Sequence, residues 1–296
     1  MCCHRLETTG GNFSMLNHAY ADVNGIRLHY AHAGTGPLLL FLHGFPEFWY
    51  EWRNLLPEFS KDQLAVAPDM RGYNLSSKPT ELEQYQMRHL VEDVRALAEH
   101  LGHKKFTLVG HDWGGVVAWN FAMAHPDWLD KLIIVNAPHG AIFRRELTSN
   151  PAQQQASAYM QLFRSPQAEA VLSANNYAML THALFGGTLF GTEAEKQAYI
   201  DAWSQPGALT GGLNYYRAMT GAPSGANIGP NPATHIVNVP TLVIWGEKDT
   251  ALLTGNLDGL APFVPNLTIQ RIPDGTHWVI HEQPQKVIGY MREFLV

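Results

Sequence analysis

The sequence predicts an α/β protein: a mostly parallel sheet flanked by helices, with a long helical segment inserted late in the chain. Three observations carry this. Short apolar runs recur at Leu38 to Leu42, Leu64 to Ala67, Phe106 to Val109, Leu132 to Val135, Leu242 to Trp245 and Leu267 to Ile272. Most are separated by helix-compatible segments, the alternation expected of parallel strands joined by helical crossovers. Ahead of them, Ala21 to Tyr30 alternates around Asn24-Gly25, the strongest short-range hairpin signal, so the sheet opens with antiparallel strands. Finally, about a hundred residues of helical composition lie between Asn136-Ala137-Pro138, which ends the sixth strand, and the next strand-like run at Val239-Pro240, far too many for a plain crossover.

These boundaries give a domain plan. Residues 1–14 read as a mobile tail, 15–138 and 231–296 as the sheet-forming core, and 139–230 as a helical cap with its return linker. Inside the cap, Pro151 to Arg164, Glu169 to Leu184, Glu193 to Trp203 and Leu209 to Met219 read as helices broken by Gly, Pro and Ser, and Ala222 to Pro232 as the linker.

Composition narrows the function classes. A formal net charge of -6 with no basic run disfavours nucleic acid or an anionic membrane as partner. No apolar stretch reaches transmembrane length, and Met1 to Ser14 lacks the apolar segment of a signal peptide, so a cytoplasmic protein is expected. Cys2 and Cys3 are adjacent and cannot close a long loop, which points to reduced, incidental thiols. Among 15 histidines no His-Glu-x-x-His or Cys/His ligand cluster occurs; His277 with His281 is the only suggestive pair, and no metal is expected. Gly34-Thr35-Gly36-Pro37 is too short for a dinucleotide fingerprint and no P-loop is present, so no cofactor is implied.

The chemistry concentrates at Gly110-His111-Asp112-Trp113-Gly114-Gly115, between the run Phe106 to Val109 and the helix-like Val116 to Ala124. Small residues around a sharp strand-to-helix turn are what a nucleophile elbow needs to push one side chain out at a strand end. Here that side chain is a carboxylate, already anionic at neutral pH and able to attack an electrophilic carbon without a base. Asp beside Gly is also ordinary turn chemistry, so the motif alone decides little. Later strands add partners: Gly246-Glu247-Lys248-Asp249 follows Leu242 to Trp245, and Asp274-Gly275-Thr276-His277-Trp278 follows Leu267 to Ile272. Singly, Asp249 reads as a solvated turn carboxylate and His277 as a surface or capping histidine. Jointly, Asp112, Asp249 and His277 stand in nucleophile, acid, histidine order at the carboxyl ends of strands, where open parallel sheets place their sites.

With His43-Gly44-Phe45-Pro46-Glu47 and Asp69-Met70-Arg71-Gly72-Tyr73 added, the motifs span nearly the whole chain. The chain resembles the α/β-hydrolase superfamily and, within it, the soluble epoxide hydrolases. The resemblance implies an α/β-hydrolase fold with a cap, an ester formed on Asp112, hydrolysis by water activated by His277 and Asp249, and an oxyanion hole from the backbone N–H groups of Phe45 and Trp113. It implies Tyr159 and Tyr216 as the acids that receive the epoxide oxygen, on the contexts Tyr159 to Pro166 and Leu213 to Arg217. Tyr215 competes with Tyr216, since neighbours on a helix diverge by roughly 100 degrees. An aromatic on an amphipathic helix is otherwise packing. The partners expected are a small epoxide and water, for a monomer or homodimer. Pro46, Glu47 and Trp278 are candidates for binding substrate or water; Glu47 either positions the hydrolytic water or forms a surface salt bridge, for instance with Arg53.

Haloalkane and fluoroacetate dehalogenases share the Asp nucleophile. Phe45 stands where many haloalkane dehalogenases carry a halide-binding Asn, and Trp113 where fluoroacetate enzymes carry Arg. A halide leaves as a stable anion, whereas an opening epoxide leaves an alkoxide that needs a proton donor, a role suited to tyrosine. A non-catalytic ligand-binding protein on the same fold is the third reading. One departure stands out: many relatives continue with Gly-Asp-Ser after Arg71-Gly72-Tyr73, and this chain has Asn74-Leu75-Ser76.

Overall fold

Eight strands form one sheet in the computed structural model, which describes residues 16–186, 191–219 and 235–296. The tail expected over residues 1–14, with Cys2 and Cys3, and the linker at Ala222 to Pro232 lie outside the described residues. The strands are β1 (Asn17–Val23), β2 (Ile26–Ala33), β3 (Leu38–Leu42), β4 (Leu64–Pro68), β5 (Phe106–His111), β6 (Leu129–Val135), β7 (Thr241–Gly246) and β8 (Leu267–Ile272). Their spatial order is β1-β2-β4-β3-β5-β6-β7-β8. β1 pairs antiparallel with β2 and β2 with β4; all later pairs are parallel. Asn24 and Gly25 close the first hairpin with φ of 47° and 73°, the left-handed pair that matches strand twist.

The apolar runs are unbroken because both faces of the sheet are covered. Leu38, Leu40 and Leu42 of β3 join one core layer, with Val94 and Leu97 of α2 (Met87–His100) and Val117 and Phe121 of α3 (Asp112–Ala124). Leu39 and Phe41 join the opposite layer, with Leu56 and Phe59 of α1 (Leu56–Phe59) and Val287 and Met291 of α11 (Pro284–Leu295). Successive strand residues alternate between layers, so every position must be apolar. The chain steps from β3 to β4 on one side and then to β5 on the other. Loops leaving the carboxyl ends of β3 and β5 therefore diverge, opening a crevice at the centre of the sheet.

Between β6 and β7 the described residues form six helices: α4 (Gly140–Ser149), α5 (Pro151–Ala156), α6 (Tyr159–Arg164), α7 (Ala168–Phe185), α8 (Glu193–Trp203) and α9 (Ala208–Ala218). Local signals set some ends. Asn150 accepts from the N–H groups of Ala152 and Gln153 with Pro151 in the first turn, and Thr192 with Glu195 forms a reciprocal capping box. The single helix expected over Pro151 to Arg164 is two, split at Ser157-Ala158, and the segment expected over Glu169 to Leu184 is broken inside. Ala174 is extended, and Asn175, Asn176 and Tyr177 have positive φ. Asn accepts that conformation more readily than most residues; Tyr does not. The short helix α10 (Val279–Glu282) follows His277-Trp278. No helix among the described residues is long and apolar enough to cross a membrane.

Gly114 lets α3 lie against β3, since a Cβ there would sit 2.1 Å from the carbonyl oxygen of Leu42. Gly114→Ala is therefore expected to cost at least about 1–3 kcal/mol, the usual range for overpacking. The urea midpoint measures this, and a midpoint equal to the parent's would contradict the close approach.

Candidate active site

β5 ends at His111 and α3 begins at Asp112, so the chain reverses at a single residue. Asp112 takes a φ of 47°, a left-handed conformation that costs a non-glycine residue on the order of 1–3 kcal/mol and persists only where surroundings enforce it. Gly44 is part of that enforcement: a Cβ there would lie 2.4 Å from the Asp112 Cβ. Phe45 N–H donates to Asp112 Oδ1 at 2.8 Å, leaving Oδ2 turned toward His277 Nε2 at 3.7 Å.

Asp249 and His277 arrive from the loops after β7 and β8. Asp249 Oδ2 lies 2.7 Å from His277 Nδ1 and accepts from Asn136 Nδ2 at 2.8 Å, while Oδ1 accepts the N–H groups of Ala251 and Leu252, each at 2.8 Å. Burial pushes the Asp249 carboxyl up, but His277 and these donors outweigh it and hold it below the usual carboxylate range. Asn136 follows β6 with φ 37°, and its oxygen also accepts Gly246 N–H at 2.8 Å. It is a positioning contact that sequence reasoning missed, although Asn after a buried strand is a recognisable left-handed turn signal. Trp278 packs edge-on against the His277 ring with centroids 4.7 Å apart.

The inserted helices close the crevice. A cleft of about 490 Å³ is lined by Asp112, Trp113, Val116, Pro138, Phe143, Tyr159, Met160, Arg164, Tyr216 and Leu252. Two phenols therefore share a largely apolar space with one carboxylate. Burial first, then the charge of Asp112 among its neighbours, raises the pKa of both Tyr159 and Tyr216, so each hydroxyl keeps its proton. Their rings lie 6.3 Å apart, and the Tyr216 ring packs edge-on against Trp113 at 5.0 Å. The choice between neighbouring tyrosines resolves cleanly: Tyr215 is fully buried and donates to the Arg71 carbonyl at 2.9 Å, while Tyr216 lines the cleft.

Other candidates lie elsewhere. Pro46, Glu47 and Trp278 do not line this cleft. The Pro46 carbonyl accepts from Trp203 Nε1 at 2.5 Å. Glu47 is not in a surface salt bridge with Arg53: it is 1% exposed, and its Oε1 accepts from Tyr199 at 2.7 Å and lies 2.5 Å from His281 Nε2. Arg53 pairs with Glu195 of α8. A buried carboxylate needs donors, and the fold supplies them from residues 152 and 234 positions away, which nearness in sequence did not suggest. His277 and His281 are claimed by Asp249 and Glu47 respectively and form no joint ligand set. Among the described residues, the only group of three metal-type donors is Glu47, Glu51 and His111. Asn74 keeps its turn through φ 38° and a bond to Asp69 Oδ2 at 2.9 Å, so Asn74-Leu75-Ser76 leaves that loop anchored.

A family model for the alpha/beta hydrolase fold matches residues 37–284. The chain belongs to the α/β-hydrolase family. Within it, the chain is 36% identical over 94% of its length to epoxide hydrolase 2 of Caenorhabditis elegans, of which it covers 80%. The crystal structure of Bacillus megaterium epoxide hydrolase with an inhibitor superposes with a TM-score of 0.87 at 39% identity, over 94% of this chain and 99% of that one. A mutant of the same bacterial enzyme, at a TM-score of 0.88 and 38% identity over 94% of this chain and 99% of that one, has been solved with its product, a naphthyloxypropane-1,2-diol.

For this α/β-hydrolase, Asn136→Ala removes a donor to Asp249 and an acceptor for Gly246. The expected cost is about 1–3 kcal/mol for the groups left unsatisfied, read by thermal denaturation, together with slower turnover. Parent-like values of both would mean that Asn136 does not hold Asp249 in place.

Proposed function

We propose that this chain is an epoxide hydrolase that opens an epoxide to a vicinal diol through an ester on Asp112. The carrying observation is the shared cleft: two protonated phenols and one carboxylate, contributed by the insertion and the core respectively, line the same apolar space. Ring opening needs attack on carbon from the side opposite the departing oxygen, together with a proton donor for that oxygen. Tyr159 and Tyr216 supply the donors. Because Phe45 N–H already holds Oδ1, the free Oδ2 is the attacking atom.

In the second half, His277 Nε2, with Nδ1 held by Asp249, takes a proton from water as that water attacks the Asp112 carboxyl carbon. Charge then grows on Oδ1 in front of Phe45 N–H, which with the Trp113 amide that the family pattern assigns to the same role stabilises a tetrahedral oxyanion. Collapse releases the diol with Oδ2 and restores the carboxylate with one oxygen from water. Trp278, packed against the His277 ring, limits its rotation. Glu47 reaches this site through its neighbours, and the cap formed by α4 to α9 excludes bulk water from the ester. No cofactor or metal enters these steps, and the partners are the epoxide and water.

A dehalogenase would use the same carboxylate but needs N–H donors around a halide. The cleft that holds Asp112 offers two phenols, Tyr159 and Tyr216, which supports an alkoxide rather than a halide as the leaving group. Matched epoxide and haloalkane substrates should give diol and little halide; dominant halide release would reverse the assignment.

His277→Gln should permit ring opening and block hydrolysis, so mass spectrometry after epoxide addition should find a stable adduct on the peptide containing Asp112. An unmodified peptide would argue against covalent catalysis. Tyr159→Phe and Tyr216→Phe should each slow ring opening in single-turnover mixing, and the double variant should approach the full ~10²- to 10⁴-fold typical of a positioned acid. Parent-like rates in the double variant would exclude the phenols as donors.

A further inference from the structure

Behind the cleft, three fully buried atoms face one another without a well-aligned hydrogen bond: Glu47 Oε2, Glu51 Oε1 and His111 Nδ1. All lie within 4.8 Å of one another. His111 Nδ1 is 2.9 Å from Glu51 Oε1 and 3.6 Å from Glu47 Oε2. On its far side, His111 Nε2 stands 2.9 Å from the carbonyl oxygen of His277, which can only accept, so Nε2 carries a hydrogen. A neutral His111 would then aim a lone pair at two carboxyl groups. A second proton, on Nδ1 or on Glu51, removes the conflict.

The surroundings favour holding that proton. Burial, then the neighbouring Glu47, pushes the Glu51 carboxyl up to about 8. Burial alone would lower His111, but Glu51 and Glu47 outweigh it and raise its pKa well above the usual value.

Glu51 also reaches the other side of the crevice, where its Oε2 accepts Gly44 N–H at 3.1 Å. Gly44 immediately precedes Phe45, the donor to Asp112 Oδ1, and His111 immediately precedes Asp112. One carboxyl group thus spans the two chain segments that carry the donor and its acceptor.

We propose that Glu51 is a positioning residue that bridges Gly44 N–H and His111 and so fixes the Phe45 amide against Asp112 for ester hydrolysis. This rests on the ester mechanism proposed above. The effect falls on one half of the reaction. During ring opening Asp112 loses negative charge, so a displaced amide matters little; during ester hydrolysis charge grows on Oδ1, and the amide must be in place beforehand.

The test measures the two half-reactions separately. Loss of a whole oxyanion donor slows reactions by ~10²- to 10³-fold, so Glu51→Ala, which displaces one, should slow ester hydrolysis by roughly 10- to 100-fold. Ring opening should change far less, ester should accumulate on Asp112, and kcat and KM should fall together. Glu51→Gln keeps an acceptor for Gly44 and should recover most of that loss. The titratable and charged groups facing Glu51 are Glu47, His111 and Tyr199 of α8, with His281 of α10 acting through Glu47 and Arg53 through His281.

Ionisation of Glu51 adds buried negative charge where the oxyanion forms. Parent hydrolysis should therefore decline as pH rises through about 8, and the Gln variant should lose that decline. Superimposable pH profiles, or an Ala variant that builds up no ester, would overturn the proposal. Stoichiometric metal in the purified protein would also overturn it, since a cation would then do the work assigned to the proton. If the Ala variant does not fold, the Gln profile decides alone. A parent enzyme that forms no ester would instead overturn the reading of Asp112 as nucleophile.

Discussion

The hydrogen bond from Phe45 N–H to Asp112 Oδ1 is the constraint on which the site depends. It joins the loop after β3 to the end of β5, the two places where the reversal of strand order drives the chain apart. For the bond to form, Asp112 must adopt a left-handed backbone, Gly44 must lack a side chain, and Gly114 must let α3 settle on β3. The same bond distinguishes the two carboxylate oxygens, one engaged by an amide and the other open toward the cleft and His277. Asp249, Asn136 and the amides of Ala251 and Leu252 then fix the imidazole opposite.

The insertion is fastened to this arrangement by polar contacts as well as packing. Tyr199 and Trp203 of α8 donate to Glu47 and to the Pro46 carbonyl, Arg53 pairs with Glu195, and Tyr215 of α9 donates to the Arg71 carbonyl. These bonds land on the loops after β3 and β4, those to Pro46 and Glu47 immediately beside Phe45. The segment that carries Tyr159 and Tyr216 is thereby registered against the segment that carries Asp112.

Much of the fold was legible because strands covered on both faces must be apolar at every position, which leaves short, conspicuous runs. The nearness of Asp112, Asp249 and His277 could be read because Asp112 and Asp249 each follow such a run and His277 follows the alternating edge strand β8 beside them. Helix breaks were poorly legible: Ser157-Ala158 has ordinary helical composition, and although Asn175-Asn176 tolerates a left-handed backbone, packing decides whether the chain turns there. Side-chain partners were least legible. Glu47 and Arg53 look like a pair at short spacing, yet burial sends each to a partner on a remote element, and Glu51 gives no local sign that it faces His111. The Tyr215 and Tyr216 ambiguity shows the same limit, since helical phase fixes that they diverge but not which one faces the cleft.

The fastening of α8 bears on modularity. Glu47 and Arg53 belong to the sheet-forming part of the chain, but Arg53 pairs with Glu195 of the insertion and Glu47, held also by His281, accepts a hydrogen bond from Tyr199 of the insertion. A chimera that grafted a foreign insertion lacking Tyr199 and Glu195 onto this scaffold would leave the Arg53 guanidinium without its carboxylate and Glu47 with one donor fewer. Interchange of such segments between relatives is therefore tied to the loop after β3, and the two would have to be exchanged as one inherited unit.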